Sequence, residues 1–415
     1  MGTYAVAAVV QRQEANMPPA ASGLTIGERV AMARKVAGLN QHALAQRASY
    51  STSMVRAVEQ GREPASPAFV AAVARALNIE TEELYGQPYR DLLEDDGGIS
   101  GLAELRTLFA EGTYVSPLEP ESFEDLTSAI NSVRKNRRTD RARQALSSMH
   151  ILLRQIYGAI EVAPTQAEKE YGFTLLAQGY ANTAQMMYRF GWLTLATQAV
   201  DRMEAAAAQS DDPLLLAHAA QQRSLLLMSY AAYETGERLV ERSLNVLDGK
   251  TDNEGVLALR GAAHLRGAII SARHGKSDRA REHIKEARKF GVLIGRQSDA
   301  YDTSFGPGNV EIHDTAVSLE IGDPGRAARD GSALRIPPDV TATRAGHHWQ
   351  DVARAWVLSG EHSKALQALD KARRVAPQQT RYHPQVHETA RAIALAERRK
   401  SDSIANFTAW LGLKV

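Results

Sequence analysis

The sequence contains no cysteine, which excludes disulfide bonds and thiolate-ligated metal sites and suits the reducing cytosol. It also lacks a membrane span, because no stretch approaches the roughly 18 consecutive apolar residues that a transmembrane helix needs. The apolar stretch Tyr4–Val10 is short and no basic residue precedes it, so it does not have the pattern of a signal peptide. We therefore expect a cytoplasmic protein without a membrane partner.

The sequence also lacks a clear excess of basic or acidic residues, since the net charge of its 415 residues is only +1. Any case for nucleic-acid binding must therefore rest on a local motif rather than on the charge of the whole chain. Aromatic residues are few, at 6%, whereas 44% of the chain is hydrophobic and alanine is plentiful. This composition supports a buried core and favours helices over sheets.

Motifs for catalysis and for metal or cofactor binding are absent too. A helical metallopeptidase site needs a second histidine four residues after the first, but His387-Glu388 is followed by Arg391 at that position. His347 and His348 are adjacent and point to different helix faces, which suits no single metal ion. The chain has no Walker lysine loop and no serine elbow. We expect no catalytic residue, no metal and no cofactor.

Residues 24–86 have the pattern of five short helices, and they follow a loose leader over residues 1–23. Capping residues at Asn40, Ser51 and Ser66 predict helices that begin immediately after them. Such short, closely spaced helices indicate a small helical domain.

A helix-turn-helix needs two short helices locked at a steep angle, so that the second presents its N-terminal end to the major groove. Residues 41–61 supply what this requires, with Leu44 and Val55 inside, the small Ala45 at the crossing and Ser49 in the turn. Burial should make Leu44 and Val55 contribute roughly 1.5–3 kcal/mol of stability each. The pattern therefore predicts a DNA-reading unit near the start of the chain.

The window from Ile26 to Ile79 resembles the Cro/CI (XRE) family of helix-turn-helix regulators. The matching landmarks are Gly38-Leu39-Asn40-Gln41, Leu44-Ala45, Glu59, Gly61, Pro64, Ser66, Ala74 and Ala76-Leu77. The resemblance implies a structural pair between Arg34 and Glu59, and Ser49 stands where the family usually has glycine.

Carried over by position, the resemblance implies eight DNA-binding residues. They are Asn40 and Gln41, which would contact a DNA phosphate, Ser51 at the start of the second helix, Thr52, Ser53, Arg56 and Ala57, which would face the major groove, and Arg62, which would contact the DNA backbone. Arg56 is the candidate for guanine because its fork can pair with two acceptors, and the alternative is a solvated surface arginine. Seven basic against six acidic residues make the module weakly charged, so we expect a homodimer on a near-palindromic site of double-stranded DNA.

Residues 87–101 are rich in glycine and acidic residues, which predicts a linker. Helical patterns then continue over residues 102–415 without a convincing strand. Five hairpins are predicted to turn at Gly191, Gly236, Gly275, Gly322 and Gly360. Alanine stands five residues after the turn in four of them, and Glu241 is the exception. The spacing fits two-helix solenoid repeats.

This second part is similar to the tetratricopeptide family in a degenerate form, most clearly around Gly360, where Trp349 and Trp356 precede the turn and Ala365 and Ala372 follow it. The combination with the first module resembles peptide-sensing regulators of Gram-positive bacteria, and residues 305–327 resemble a signature of actinobacterial regulators. These resemblances imply an all-α protein in which a five-helix Cro/CI-like DNA-binding domain precedes a tetratricopeptide-like helical solenoid. They imply ligand-controlled DNA binding without identifying the ligand.

Counting back from the predicted turns places eleven polar residues on the concave wall of the solenoid. They are Gln178, Asn182, Gln185, Arg223, Tyr230, Arg266, Asn309, His313, His347, Gln350 and Arg354. Amides pair with a peptide backbone and arginines with carboxylates, so this wall is suited to a peptide, a small signalling molecule or a protein partner. The alternative for each residue is an ordinary solvated polar side chain.

The most basic stretch is Arg134-Lys135-Asn136-Arg137-Arg138. Its two interpretations are contact with flanking DNA and a solvated or ion-paired helix face. For the whole chain we predict a sequence-specific transcription regulator whose repeats sense a ligand and mediate dimerisation. The alternative is an interaction scaffold whose first domain only packs against the repeats and has no direct role on DNA.

Overall fold

The computed structural model describes residues 24–397 and 402–413, apart from the side chains of residues 90 and 91. The predicted leader over residues 1–23 lies outside the described residues. Within the described part, the regular elements are helices, and an isolated antiparallel β-bridge joins Ser298 to Phe305. The predicted all-α class is confirmed. None of the described helices has the length and apolar character needed to cross a bilayer.

Five helices form the N-terminal domain, which we call the head. They are α1 (Ile26–Val36), α2 (Gln41–Ala48), α3 (Thr52–Glu59), α4 (Pro67–Leu77) and α5 (Thr81–Tyr85). Asn40, Ser51 and Ser66 each accept a hydrogen bond from the backbone N–H three residues later, at 2.8, 3.1 and 3.1 Å. These caps satisfy donors that a helix start leaves unpaired, and they confirm the predicted helix starts.

The core of the head forms where α2 crosses α3. Leu44, Val55 and Phe69 are completely buried there, and the small Ala45 is also buried. Ser49 closes α2 in the left-handed conformation, with φ 58° and ψ 39°. The tight turn between the two helices thus depends on a conformation that non-glycine residues adopt at a cost.

The connection to the second domain is partly helical. Residues 87–101 include α6 (Arg90–Asp95), and Leu93 packs into the same core as Leu105 of the next helix. The Tyr89 ring stacks on His387 with 4.3 Å between ring centroids and 6° between the planes. The predicted linker is therefore attached to the second domain along its length, because its apolar side chains have a surface to pack on.

The second domain, which we call the array, consists of antiparallel helices. They are α7 (Leu102–Ala110), α8 (Phe123–Arg138), α9 (Ala142–Ser147), α10 (Met149–Val162), α11 (Gln166–Arg189), α12 (Leu193–Ala207), α13 (Pro213–Ser229), α14 (Tyr233–Leu247), α15 (Glu254–Arg273), α16 (Ser277–Ile294), α17 (Pro307–Glu320), α18 (Pro324–Ala333), α19 (Ala342–Leu358), α20 (His362–Val375), α21 (Pro377–Tyr382), α22 (Pro384–Ala396) and α23 (Asp402–Trp410). From α11 to α20 they form five consecutive hairpins, which is the arrangement of a helical-repeat domain.

Four of the five predicted turns are confirmed, and one is wrong. Gly191, Gly275, Gly322 and Gly360 adopt positive φ between paired helices. In the second hairpin the turn residue is Ala231, at φ 51°, while Gly236 lies inside α14 and packs towards Ile270. Gly236 is thus the small buried residue five positions after the turn, which the other hairpins supply as alanine.

The head is attached to two separate parts of the array, the first two hairpins and α22. On one side, the backbone N–H of Leu193 donates to the Glu82 carboxylate at 3.1 Å, and Arg75 donates to the carbonyl of Ala231 at 3.3 Å. On the other side, Gln385 of α22 donates to the carbonyl of Ala65 at 3.4 Å. The head consequently closes over the concave side of the array.

Candidate nucleic-acid interface and interdomain cavity

The face of α3 that points away from the head core carries the predicted groove residues. Val55 and Val58 are buried, whereas Ser53 and Arg56 are exposed. The array leaves this face accessible. An exposed polar face on the second of two crossed helices is what entry into a DNA groove requires.

A hydrogen-bonded chain fixes the position of Gln41 beside α3. Its amide N–H donates to Glu59 Oε2 at 2.8 Å, and its amide oxygen accepts from Arg56 Nε at 3.4 Å. Arg34 holds the same Glu59 carboxylate through two further hydrogen bonds. These hydrogen bonds therefore connect Arg34 of α1 to Arg56, the candidate DNA-reading arginine, through the side chains of Glu59 and Gln41.

The pKa of Glu59 is lowered overall, because hydrogen bonds from Arg34 and Gln41 outweigh the opposing effect of burial. The glutamate is ionised at neutral pH and remains a strong acceptor. This confirms that Arg34 and Glu59 form the expected structural pair.

The other predicted DNA-binding residues lie on or beside the same two helices. Thr52 Oγ1 is 3.3 Å from His42 Nδ1, and the Ser51 and Ser53 hydroxyls are 2.9 Å apart. Asn40 caps α2 and is exposed, Ala57 is half-buried on α3, and Arg62 is exposed after the end of α3. The structure thus groups all eight at the crossing of α2 and α3 or directly after it, and their role on DNA stays a prediction.

A cavity of about 390 Å³ lies between the head and the concave face of the array. In the second to fifth hairpins, the residues 13, 9 and 6 positions before the turn all line it. They are His218, Gln222, Leu225, Ala262, Arg266, Ile269, Asn309, His313, Ala316, His347, Asp351 and Arg354. The head contributes Glu82 and Tyr85 to the opposite side.

Six of the eleven predicted wall residues line this cavity: Gln185, Arg266, Asn309, His313, His347 and Arg354. Gln178 and Asn182 line a neighbouring cavity of about 310 Å³. Gln350 does not line either of these cavities and donates instead to Thr380 Oγ1 at 3.2 Å. Whether any of these residues binds a ligand stays a prediction.

Arg223 and Tyr230 do not reach the cavity, which corrects their placement on the concave wall. Arg223 pairs with Asp201 and Glu204 of the preceding hairpin, with 2.8 Å between its Nη2 and Glu204 Oε2. The physical reason is the misplaced turn at Gly236. A count from the actual turn residue, Ala231, reaches the cavity residues His218 and Leu225 instead.

Two ion networks neutralise part of the charge around the cavity. Asp302 accepts hydrogen bonds from Arg137 and Arg138, with 2.8 Å to Arg138 Nε. Burial opposes ionisation of Asp302, but the neighbouring arginines lower its pKa overall. The basic run around residue 137 is therefore an interhelical ion-pair set at these two arginines, as one of its two interpretations predicted.

The second network surrounds Glu320. This buried carboxylate is 3.2 Å from Arg354 Nη1 and 3.4 Å from Arg273 Nη2. Nearby, burial raises the pKa of Asp351 to about 6, and Arg354 opposes this rise. Glu320 thus compensates two arginines, while Asp351 is mostly ionised at pH 7 and takes up a proton as the pH falls towards 6.

Arg266 and Arg344 line the cavity without a hydrogen bond or an ion pair to a carboxylate among the described residues. Burial first, and the nearby Arg344 second, lower the pKa of Arg266 to about 10. Burial also lowers the pKa of Arg344, against the attraction of Asp351. Both guanidinium groups therefore lie in surroundings that are short of negative charge.

Histidines surround the same pair of arginines. Burial and the charge of Arg344 lower the pKa of His347 to about 3 and that of His313 well below its usual value. Both rings are neutral at pH 7, which leaves the arginines as the cationic groups here. Among the described residues, no group of three histidine, cysteine or acidic side chains has the arrangement of a metal site.

Sequence reasoning missed Arg344, Asp351 and His218 as cavity residues. Asp351 lies nine positions before Gly360, next to Gln350, which the sequence analysis placed on the wall instead. His218 lies 13 positions before Ala231, the actual turn of the second hairpin. Arg344 lies outside the 13–9–6 spacing before each turn, in the first turn of α19, so the repeat pattern carries no signal for it.

Comparison with known families supports the N-terminal assignment. Residues 25–84 match the family model described as a helix-turn-helix domain. This match covers the head and leaves the array unassigned. No curated protein matches the chain.

Two solved structures show a weak overall likeness. BtubC from P. vanneervenii is 17% identical, with 68% of this chain and 96% of that chain covered and a TM-score of 0.34. PlcR from Bacillus thuringiensis, solved in complex with the peptide PapR7 and DNA, is 11% identical, with 90% and 99% covered and a TM-score of 0.33.

Proposed function

We propose that this helix-turn-helix protein is a transcription regulator that binds double-stranded DNA in a sequence-specific manner. The observation that carries the proposal is the exposed face of α3, where Arg56 is oriented by Gln41 at 3.4 Å. A guanidinium held at the surface of a recognition helix can pair with O6 and N7 of guanine. Ser51, Thr52, Ser53, Ala57 and Arg62 would complete the contact surface, with Asn40 and Gln41 at phosphate.

The array is proposed to sense a ligand and to pass the signal to the head. The cavity between them is lined by residues of both domains, including Glu82 of the head and Arg266 of the array. A molecule bound there changes the relative stability of attached and detached head positions, so it shifts the population that binds DNA. A peptide, a small molecule or a protein partner can act in this way.

The protein is further proposed to bind DNA as a homodimer. A single head carries almost no net charge, and two heads double the number of phosphate contacts on two half-sites. Mass measurement of the free protein and of the DNA complex tests this part. Two chains per duplex support it, and one chain per duplex contradicts it.

Selection from a random duplex library with the purified full chain tests the main proposal. We expect a consensus with two related half-sites and an affinity that falls steeply as salt increases. The competing function, an interaction scaffold, is favoured by the contacts that attach the head to the first hairpin and to α22 of the array. A scaffold enriches no sequence and shows no DNA binding at low salt.

A further inference from the structure

The interdomain cavity has more positive than negative groups on its walls. Seven arginines line it, at positions 137, 138, 189, 266, 273, 344 and 354, against four carboxylates, at positions 82, 302, 320 and 351. The carboxylates of Asp302 and Glu320 are already shared between arginines. The cavity is therefore cationic as a whole, although the chain is almost neutral.

The uncompensated charge is concentrated on two residues of different hairpins. Arg266 comes from α15 and is repelled by Arg344. Arg344 comes from α19, and it is attracted by Asp351 without forming an ion pair with it among the described residues. Arg266 Nε is buried without a hydrogen-bond partner. The rest of Arg266 is only partly buried, but a buried N–H without an acceptor is costly, and that cost is removed when an anion supplies the acceptor. This pair is thus prepared for a ligand that the protein itself does not provide.

The rest of the wall sets the size and polarity of that ligand. Leu225, Met228, Ile269 and Ile312 give one part of the wall an apolar surface. A volume of about 390 Å³ is in the range of pockets for small molecules, which bind through an apolar body and a few placed polar groups. A long extended peptide does not fit beneath the head without displacing it.

We propose that the cavity binds a small organic anion whose phosphate or carboxylate group lies between Arg266 and Arg344 and whose apolar part contacts α13, α15 and α17. Both arginines present planar forks that match either oxyanion. Because the head forms one wall through Glu82 and Tyr85, the bound anion contacts both domains. Its effect on DNA rests on the proposed function, whereas the binding itself does not.

Calorimetric titration of the purified full chain tests the binding. The probes are phenyl phosphate and tripolyphosphate for the phosphate source, benzoate and citrate for the carboxylate source, and benzyl alcohol as the uncharged control. We expect phenyl phosphate, benzoate or both to bind. Benzyl alcohol should bind at least tenfold more weakly. Failure of both phenyl phosphate and benzoate to bind, or equal binding of benzyl alcohol, overturns the proposal.

Three variants locate the site. Arg266→Gln and Arg344→Gln remove the two unpaired charges, and Arg281→Gln removes an exposed arginine of α16 outside the cavity. We expect each cavity variant to weaken the anion at least tenfold and the surface variant to leave its affinity unchanged. Equal affinity in all three, with each variant shown to be folded by its thermal transition, overturns the assignment.

DNA titration with and without the bound probe separates this inference from the proposed function. We expect the anion to change the DNA affinity of the unmodified chain at least fivefold and to have no effect on Arg344→Gln. DNA binding without anion binding overturns the inference alone. Anion binding without DNA binding overturns the proposed function alone.

Discussion

Arg34 and Glu59 form a two-pronged ion pair across the head, with 2.6 Å between Arg34 Nε and Glu59 Oε1 and 2.9 Å between Arg34 Nη2 and Glu59 Oε2. Both side chains are nearly buried, at 11% and 5% exposure. The pair joins α1 to the end of α3, and through Gln41 it also orients Arg56. Fold stability and the candidate DNA surface therefore share one set of hydrogen bonds.

Arg34→Ala is expected to lower the free energy of unfolding of the head by about 2–3 kcal/mol. The reason is that Glu59 keeps its buried charge but loses its main partner, and the cost stays below that of a fully enclosed pair because Arg34 is at the edge of the core. Thermal denaturation measures the effect. Arg47→Ala, which removes an exposed arginine of α2, is the control and should change stability by less than about 0.5 kcal/mol.

Ser49→Gly is expected to stabilise the head by about 0.5–1 kcal/mol. Ser49 adopts φ 58°, a conformation that glycine reaches without a steric cost, and this gain exceeds the extra freedom of glycine in the unfolded chain. Chemical denaturation of the two proteins measures the difference. Unchanged or reduced stability would contradict the strained turn.

Acidification from pH 7 to pH 5 is expected to destabilise the protein through buried histidines. Burial lowers the pKa of His387 to about 3, whereas an unfolded histidine has a pKa near 6.5. Between these values the unfolded chain binds the extra proton, so the free energy of unfolding falls as pH falls, by about 2 kcal/mol per such residue at pH 5. Denaturation of the unmodified protein across this pH range measures the loss.

The matched variant for this pH effect is His387→Gln. Glutamine can still donate to the carbonyl of Arg381, which His387 Nε2 contacts at 2.8 Å, but it does not titrate. Its stability should depend less steeply on pH than that of the unmodified chain. Identical slopes would show that His387 is not a buried neutral group.

Two cavity arginines are expected to affect stability in opposite directions when they are neutralised: Arg266, which has no carboxylate partner, and Arg354, which is paired with Glu320. Arg266→Gln is expected to raise the thermal midpoint by about 1–2 °C, because it removes a partly buried charge whose Nε lacks an acceptor. Arg354→Gln is expected to lower the midpoint, because Glu320 then loses a partner at 3.2 Å. A lower midpoint for both variants would mean that Arg266 contributes to the fold rather than to a ligand site.

Local features of the sequence predicted the head well. The caps at Asn40, Ser51 and Ser66 act within three residues, so their effect is visible in the sequence itself. The ion pair between Arg34 and Glu59 was predicted from the resemblance to the family, because the two residues are too far apart in the sequence for a local pattern to indicate their contact.

The array was less predictable, because its details depend on contacts between distant residues. The turn of each hairpin contains a residue with positive φ, and glycine is the residue that adopts this conformation most often. In the second hairpin that residue is Ala231, so the predicted turn at Gly236 was wrong. The stacking of Tyr89 on His387 attaches the linker, and these residues are almost 300 positions apart. Arg344 reaches the cavity only because α19 packs beside α17.

The most direct measurement for the central claim is a fluorescence-anisotropy titration of Arg56→Ala against the selected DNA site. If α3 enters the major groove, this variant should lose about 1–3 kcal/mol of binding free energy, or roughly 5- to 150-fold in affinity, with reduced selectivity at one base pair. Arg56→Lys should keep most of the salt dependence but not the selectivity, and Arg374→Ala on α20 should match the unmodified chain. Equal affinity and selectivity for Arg56→Ala and the unmodified protein would contradict DNA reading by α3.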